Sequence, residues 1–196
     1  AGLSGVRDSL DNPVDYWTNN VVATYRIFKQ FDKGPKILYA SSSTAYEPWR
    51  NPYAMSKHYM ETIAPHNALA MRFTTVYGPG AREQMLIPKI LKNDVDYINV
   101  DHSRDFIHID DILTAIGTLI VNPIPRKPKF VDVGTGVSNN LLDILSHINM
   151  EVKDKRMGTM FERKDNKANI GTLTKMGWMP TIDLFDYLKG EKNGDI

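Results

Sequence analysis

Hydroxyl and amine side chains lie close together within residues 37–57, which read ILYASSSTAYEPWRNPYAMSK. An apolar run ends in three serines at 41–43, and Tyr53 and Lys57 follow as Tyr-x-x-x-Lys. Residues four apart share one face of a helix, so an ammonium at Lys57 is expected to lower the pKa of the Tyr53 phenol from its reference value near ~10. Such a phenol exchanges protons at neutral pH, and a strand-end serine hydroxyl can hydrogen-bond the same substrate oxygen. The pattern fits removal of a proton from a secondary alcohol while a hydride leaves to a nicotinamide ring.

A second Tyr-x-x-x-Lys, from Tyr25 to Lys29, shows that the spacing alone is not specific. No strand ending in serines precedes this copy, and we interpret Tyr25 as a core residue and Lys29 as solvated. Tyr53 differs because the serine strand lies just upstream and Pro52 can begin a helix. We therefore predict that Tyr53 and Lys57 are the catalytic pair.

The elements that must position these residues alternate between strands and helices. KILYAS, ALAMRFTTV and KFVDVGTG are typical of buried strands, and helices are predicted at 13–31, from Tyr53 to Ala64, and in DDILTAIGTLIV. A last helix is expected to be capped by Thr181 and closed by Gly190. Continuously apolar strands alternating with helices indicate an α/β fold with a doubly wound parallel sheet.

The composition argues against several classes of protein. The chain has 196 residues and a net charge of +1 with both signs interspersed, whereas a nucleic-acid-binding surface needs clustered basic residues. It has no cysteine, which excludes disulfides and cysteine zinc sites and fits a reducing, cytoplasmic compartment. The five histidines show no metal-ligand spacing, so no metal site is expected. No apolar run reaches 18 residues, so we expect no membrane span.

Several segments resemble, in the right order, those of the extended short-chain dehydrogenase/reductase family in its nucleotide-sugar epimerase/dehydratase branch. They cover nearly the whole chain and read AGLSGVRDSLDNPVDYWTNNVVAT, LYASSSTAY, NPYAMSK, MRFTTVYGPGAR, RDFIHIDDI, FVDVGTG and MGWMP. The resemblance implies the C-terminal two-thirds of a Rossmann-like fold with a small α/β substrate-binding lobe. Residues 1–76 would be the rest of the NAD-binding domain. Residues 77–196 would be mainly the lobe, with about 101–134 returning to the sheet.

The resemblance also implies roles for individual residues. Counting four back from Tyr46 makes Ser42 the catalytic hydroxyl beside Tyr53 and Lys57. The NAD contacts would come from Ala1, Gly2, Leu3, Asn20, Tyr53, Lys57 and Thr74. A nucleotide-diphosphate sugar would be held by Ser42, Ser43, Thr44, Thr75, Arg82 and Arg104. In this assignment Arg82 would bind a carboxylate or phosphate, and Arg104 would meet the diphosphate.

The resemblance favours epimerisation at a sugar C4 hydroxyl through a 4-keto intermediate. Ser43 and Thr44 stand where dehydratases carry an Asp-Glu pair for water loss, and SGVRDSLDNP and RFTTVYGPGAR are most similar to UDP-glucuronate 4-epimerases. Two alternatives stay open: a related reductase, dehydratase or decarboxylase, and a non-catalytic remnant or interaction module. The sugar (UDP-glucuronate or UDP-glucose) and NADP in place of NAD are open as well. By analogy alone, the family allows a homodimer built from two helices.

The family's phosphate-binding Gly-x-x-Gly-x-x-Gly, which lies in the first turn of the fold, is not found among the 196 residues. The closest pattern, GTGVSN, has Asn139 where a third glycine belongs and is interpreted as a turn. We therefore expect the sequence to be an N-terminally incomplete member that lacks roughly the first third of the family's length.

Overall fold

A computed structural model describes residues 2–125 and 127–193. Its strands are β1 (Ile37–Ser42), β2 (Ala68–Phe73), β3 (Thr75–Tyr77), β4 (Tyr97–Asn99), β5 (Ser103–Arg104), β6 (Phe106–His108), β7 (Phe130–Val133), β8 (Asn139–Asn140) and β9 (Asp154–Arg156). Its α-helices are α1 (Val6–Asp11), α2 (Pro13–Tyr16), α3 (Ala23–Phe31), α4 (Pro52–Thr62), α5 (Leu86–Leu91), α6 (Ile109–Val121), α7 (Leu141–His147), α8 (Gly171–Lys175) and α9 (Leu184–Asn193). None of these helices combines the length and the apolar composition needed to cross a membrane.

The main sheet has three parallel strands in the order β1-β2-β7. Ser42 pairs with Phe73, and Phe73 pairs with Val133, so the three strands end along one edge of the sheet. Two further parallel pairs, β3 with β6 and β4 with β9, and the antiparallel pair β5 with β8 complete the described strands. The predicted α/β class with parallel strands is confirmed.

Two clusters of buried apolar side chains form the core. The first packs α6 and α8 on the sheet and contains Leu69, Met71, Ile107, Ile112, Ala115, Leu119, Val131, Val133, Leu173 and Trp178. The second joins α5, α7 and α9 and contains Tyr77, Ile87, Ile90, Ile98, Phe106, Leu141, Ile144, Leu145, Leu184, Tyr187 and Leu188. Leu173 and Trp178 thus pack on the sheet, although they lie far beyond the 101–134 segment expected to return to it.

Residues 13–31 are helical throughout, with a π-helical segment (Trp17–Val22) joining α2 to α3. Val21 and Phe28 are buried as the apolar spacing predicts, but Val14, Trp17 and Tyr25 are exposed. The interpretation of Tyr25 as a core residue is therefore wrong. The Trp17 ring lies 4.9 Å from the Tyr59 ring of α4, so part of this exposed face continues across two helices.

The last helix begins later than predicted. The Asp183 Oδ1 accepts from the backbone N–H groups of Phe185 and Asp186, at 2.8 and 3.1 Å, and so caps α9 in place of Thr181. Thr181 donates its hydroxyl and its backbone N–H to Asp111 instead. Gly190 lies inside α9 and does not close it. The prediction for the cap failed because the tertiary contact with Asp111 takes Thr181 out of its local role.

Candidate active site

The start of α4 brings Tyr53 and Lys57 to the site. Asn51 has an extended backbone, and its side-chain oxygen accepts from the Ala54 N–H at 2.7 Å, while Pro52 occupies the first helical position. This is a regular N-cap with proline after it. The predicted helix start at Pro52 is confirmed, and the helix ends at Thr62, two residues before the predicted end.

The end of β1 carries the serines. The Ser42 Oγ accepts from the backbone N–H of Thr44 at 3.2 Å and from its Oγ1 at 3.0 Å. These bonds cap a short 3₁₀ turn (Ser43–Tyr46), which bends the chain at the edge of the sheet. The turn places Ser42, Ser43 and Thr44 side by side.

A cavity of roughly 890 Å³ opens at this edge of the sheet. Its wall includes most of the residues predicted to act in the site, namely Gly2, Ser42, Ser43, Thr44, Tyr53, Lys57, Thr74, Thr75, Arg82 and Arg104. Side chains that are far apart in the sequence therefore converge on one space, with a volume typical of small-molecule sites. Ala1, which was also predicted to contact the cofactor, lies outside the described residues.

Leu3 and Asn20, which were also predicted to contact the cofactor, have the following surroundings. Leu3 borders a separate surface depression with Asp15 and Val22. Asn20 is fully buried; its Oδ1 accepts from the Leu3 N–H at 2.8 Å, and its Nδ2 donates to the Leu3 carbonyl at 3.0 Å and to Ser56 Oγ at 3.0 Å. Asn20 thus fixes the N-terminal segment against α4, because its amide hydrogen bonds are used within the protein.

The Tyr53 phenol is not made acidic by Lys57, contrary to the prediction. Burial raises the pKa of Tyr53, and only a hydrogen bond with Ser42 and the charge of Arg82 act to lower that pKa. The Lys57 amine lies 5.8 Å from the centre of the Tyr53 ring and donates to the Ala40 carbonyl at 2.9 Å. Burial also lowers the pKa of Lys57 to about 8. The spacing predicted the proximity of the two groups correctly but not their protonation.

Gly2 lies against the Lys57 amine. A Cβ built on Gly2 would lie 3.3 Å from Lys57 Nζ and 3.3 Å from Asn20 Oδ1. The missing side chain therefore leaves the backbone of the N-terminal segment close to Lys57 and open to the cavity. Gly2, Tyr53, Lys57 and Thr74 all line the cavity, so these are the residues that could hold a cofactor there.

The two arginines assigned to the substrate are held differently. Arg82 is exposed, and its charge acts on the Tyr53 phenol from across the cavity. Arg104 donates to the carbonyl oxygens of Ser103 and Lys164, at 2.8 and 3.1 Å, and contacts His102 Nδ1 at 3.1 Å. Arg104 is therefore fixed at the cavity wall by the protein, whereas the exposed Arg82 contacts Met85 Sδ at 3.8 Å.

The charged run from Lys153 to Lys167 contributes Glu162, Arg163 and Asn166 to the cavity wall. Arg163 donates to the Ser43 carbonyl at 2.6 Å and to Glu47 Oε1 at 3.1 Å. Asn166 is buried and donates to Thr75 Oγ1 at 3.0 Å. Partners separated by 91 to 120 positions in the chain leave no local pattern by which the sequence could have revealed them.

Two aspartates of the RDFIHIDDI segment act as buried anchors. Asp105 accepts backbone N–H groups from Thr135, Gly136 and Ala168, at 2.7 to 3.0 Å. Asp111 accepts those of Thr181 and Ile182, at 3.0 and 3.1 Å. Several N–H hydrogen bonds favour the charged form of a buried carboxylate. Through these bonds the two aspartates fix the loops that contain the donor residues.

Residues 1–134 match the sequence pattern of the NAD dependent epimerase/dehydratase family. The chain belongs to this family. The predicted family is thereby confirmed, and the predicted cofactor, NAD, is the one that the family description contains. The match includes every residue predicted for the site, since the highest-numbered of them is Arg104.

Characterised relatives include more than one activity. CDP-abequose synthase of Salmonella typhimurium is 30% identical over 177 residues, which cover 78% of this chain and 58% of the relative. UDP-glucuronate 4-epimerase of Thermodesulfobacterium geofontis is 28% identical over 229 residues, covering 98% of this chain and 70% of the relative. The chain thus spans about three-fifths to seven-tenths of the length of these relatives.

Solved structures show the same fold. A point mutant of UDP-glucuronic acid 4-epimerase from Bacillus cereus, in complex with a fluorinated UDP-sugar and NAD, superposes with a TM-score of 0.84 at 23% identity, covering 98% of this chain and 72% of that one. TunA, an NAD-dependent NDP-hexosamine 5,6-dehydratase, gives a TM-score of 0.83 at 23% identity, covering 98% and 74%. The predicted Rossmann-like fold is confirmed, and the likeness extends equally to an epimerase and a dehydratase.

Proposed function

We propose that this chain carries the catalytic groups of an NAD-dependent nucleotide-sugar 4-epimerase. The observation that carries the proposal is the convergence of Ser42, Tyr53 and Lys57 on one cavity at the edge of a parallel sheet. Bound NAD would supply a hydride acceptor that returns the hydride, so the reaction would have no net redox change.

The chain's own groups suit proton transfer at a sugar hydroxyl. Tyr53 would take the C4 proton, and Ser42, which lines the same cavity, would hold the same oxygen. Lys57 would donate to the cofactor ribose, because its amine lies beside the Gly2 backbone. An oriented acid–base group of this kind contributes about 10²- to 10⁴-fold to a rate.

A UDP-glucuronate-like substrate is supported by the groups around Tyr53. Arg82 gives the cavity an exposed guanidinium on the phenol side, which suits a carboxylate. Ser43 and Thr44 line the position where water loss would call for carboxyl groups. The similarity to a UDP-glucuronate 4-epimerase over 98% of the chain agrees with this choice. UDP-glucose is the second candidate, because a putative UDP-glucose 4-epimerase of Methanocaldococcus jannaschii is 29% identical over 96% of the chain.

The activity is proposed for the whole protein to which these residues belong. The glycine-rich phosphate loop is not among the 196 residues, and the relatives are longer than the matched region. A cytoplasmic location and a homodimer are part of the proposal. The exposed apolar side chains of Trp17, Tyr25, Met55 and Tyr59 on neighbouring helices support the dimer.

The test is an epimerisation assay on the full-length protein with NAD, using UDP-glucuronate and UDP-glucose in separate reactions and separating the C4 epimers by chromatography. Tyr53→Phe should lower turnover at least about 100-fold. Tyr59→Phe, on the exposed side of the same helix, is the matched control and should retain turnover. Full activity in Tyr53→Phe would refute the assignment, and an intact, NAD-binding protein inactive on both sugars would favour the non-catalytic alternative.

A further inference from the structure

Glu61 lies one turn after Lys57 on α4 and is buried together with a guanidinium. The side chains of Glu61 and Arg72 are 9% and 5% exposed. Arg72 Nε donates to Glu61 Oε1 at 2.9 Å, and Arg72 Nη2 donates to Glu61 Oε2 at 2.5 Å. Two parallel hydrogen bonds fix the relative orientation of the guanidinium and the carboxylate as well as the distance between them. The pair therefore locks helix α4 to strand β2.

The same carboxylate also holds strand β1. Ser41 Oγ donates to Glu61 Oε1 at 2.5 Å, and Ser41 is the register partner of Arg72 in the sheet. One turn earlier on α4, Lys57 donates to the carbonyl of Ala40. Consecutive residues of β1 are thus held by two side chains of the catalytic helix, immediately before Ser42.

Arg72 is enclosed on its other side by aromatic rings. Its guanidinium carbon lies 3.6 Å from the centre of the Phe130 ring and 4.1 Å from that of Tyr46. The Tyr46 hydroxyl donates to Asp132 at 3.0 Å. Because the surroundings of Arg72 are filled, removing Glu61 alone would leave a buried, unpaired cation, which is far less favourable than removing both partners.

We propose that Glu61, held by Arg72 and Ser41, is a positioning residue that places Ser42 opposite the catalytic helix and sets a carboxylate one helical turn from the Lys57 amine. The catalytic significance of Glu61 rests on the proposed function. The contacts of Glu61 and the experiment below do not depend on enzyme turnover. The physical basis is that burial lowers the pKa of Lys57 to about 8 while the charge of Glu61 acts in the opposite direction. Ionisable groups on α4 and on the elements packed against it include Tyr53, His58, Tyr59, Tyr39, Tyr46, Arg50, Tyr16, Arg7 and Asp8, and Glu61 is the charged group that acts on Lys57.

The test is an NMR titration of protein labelled with ¹³C at the lysine ε-carbon, without NAD or sugar, with the Lys57 signal assigned from a Lys57→Met sample. Glu61→Gln should move the Lys57 midpoint down by about one pH unit, since it removes a nearby opposite charge and leaves Arg72 positive. Arg72→Gln should move the midpoint up. The exposed Glu151→Gln removes a carboxylate elsewhere, keeps the Glu61–Arg72 pair intact and should leave the Lys57 midpoint unchanged.

A purely structural role predicts a different pattern. Loosening the site would let water reach Lys57, so both Glu61→Gln and Arg72→Gln would move the midpoint upward, and that result would overturn the proposal. If Glu61→Gln does not fold, the double variant Glu61→Gln/Arg72→Gln removes the buried pair together and is compared with Arg72→Gln. Equal Lys57 midpoints in the double variant and in Arg72→Gln would also overturn the proposal, whereas a lower Lys57 midpoint in the double variant supports the proposal. An inactive full-length enzyme with the expected midpoints would refute the proposed function and leave this inference standing.

Discussion

Replacing Lys57 by Met should expose the free-energy cost of burying the Lys57 ammonium. The side chain is 5% exposed, and its pKa falls from 10.5 to about 8 in the folded protein. A difference of about 2.5 pH units at ~1.4 kcal/mol each corresponds to about 3 kcal/mol. Between pH 8 and 10.5 the unfolded chain holds this proton and the folded chain does not. The contribution of Lys57 to stability therefore rises with pH across that window and is lost again as the pH falls through about 8.

Urea unfolding of the wild type and of Lys57→Met, from about pH 7 to about 10.5, measures this effect. The wild-type free energy of unfolding, relative to that of the variant, should increase by about 3 kcal/mol over the range. The lost hydrogen bond to Ala40 affects both ends of the range equally and cancels. Lys29→Met, at the exposed lysine of the second Tyr-x-x-x-Lys, is the control and should show no such gain. A difference between wild type and Lys57→Met that stays flat with pH would refute the claim that burial lowers the pKa of Lys57 in the folded protein.

Three further predictions concern the scaffold. Asn51→Ala should lower the free energy of unfolding by about 1 kcal/mol through loss of the α4 cap, as read by urea titration; an unchanged value would contradict the capping role. Gly78→Ala should lower the melting temperature more than Gly80→Ala, because both have positive φ but a Cβ would meet a histidine nitrogen at 2.8 Å only at the first. Ile144→Ala, at a fully buried site, should cost about 2–5 kcal/mol, and Val121→Ala, 81% exposed, less than about 0.5 kcal/mol; similar losses would refute the assigned core.

The parts of the site that could be predicted depend on short-range signals. Asn51 and Pro52 define the start of α4 by their own backbone preferences, and the apolar run before Ser42 defines β1. Eleven residues separate Ser42 from Tyr53, and the sheet edge and the helix start meet within that distance. A strand followed closely by a capped helix therefore allowed the meeting of Ser42, Tyr53 and Lys57 to be predicted from the sequence.

The predictions that failed depend on partners far away in the chain. The protonation of Tyr53 follows from burial and from the Lys57 amine turning to a carbonyl, and spacing carries no information on either. Thr181 was expected to cap a helix and bonds Asp111 instead, 70 residues away. In each case the local preference was reasonable, and a tertiary hydrogen bond prevailed because leaving a buried carboxylate or carbonyl unpaired costs more.

Three buried carboxylates hold together elements that surround the cavity. Glu61 joins three elements next to Lys57, and Asp105 and Asp111 collect the backbone N–H groups of loops from three later segments. A buried carboxylate with a missing partner is strongly unfavourable, so each of these acids requires all of its donors to arrive together. Glu61 thereby ties α4 to β1 at the residue that precedes Ser42. In the proposed function, proton transfer between Tyr53 and a sugar hydroxyl would depend on the separation of these two elements, so an acid that does not touch the substrate would limit the reaction.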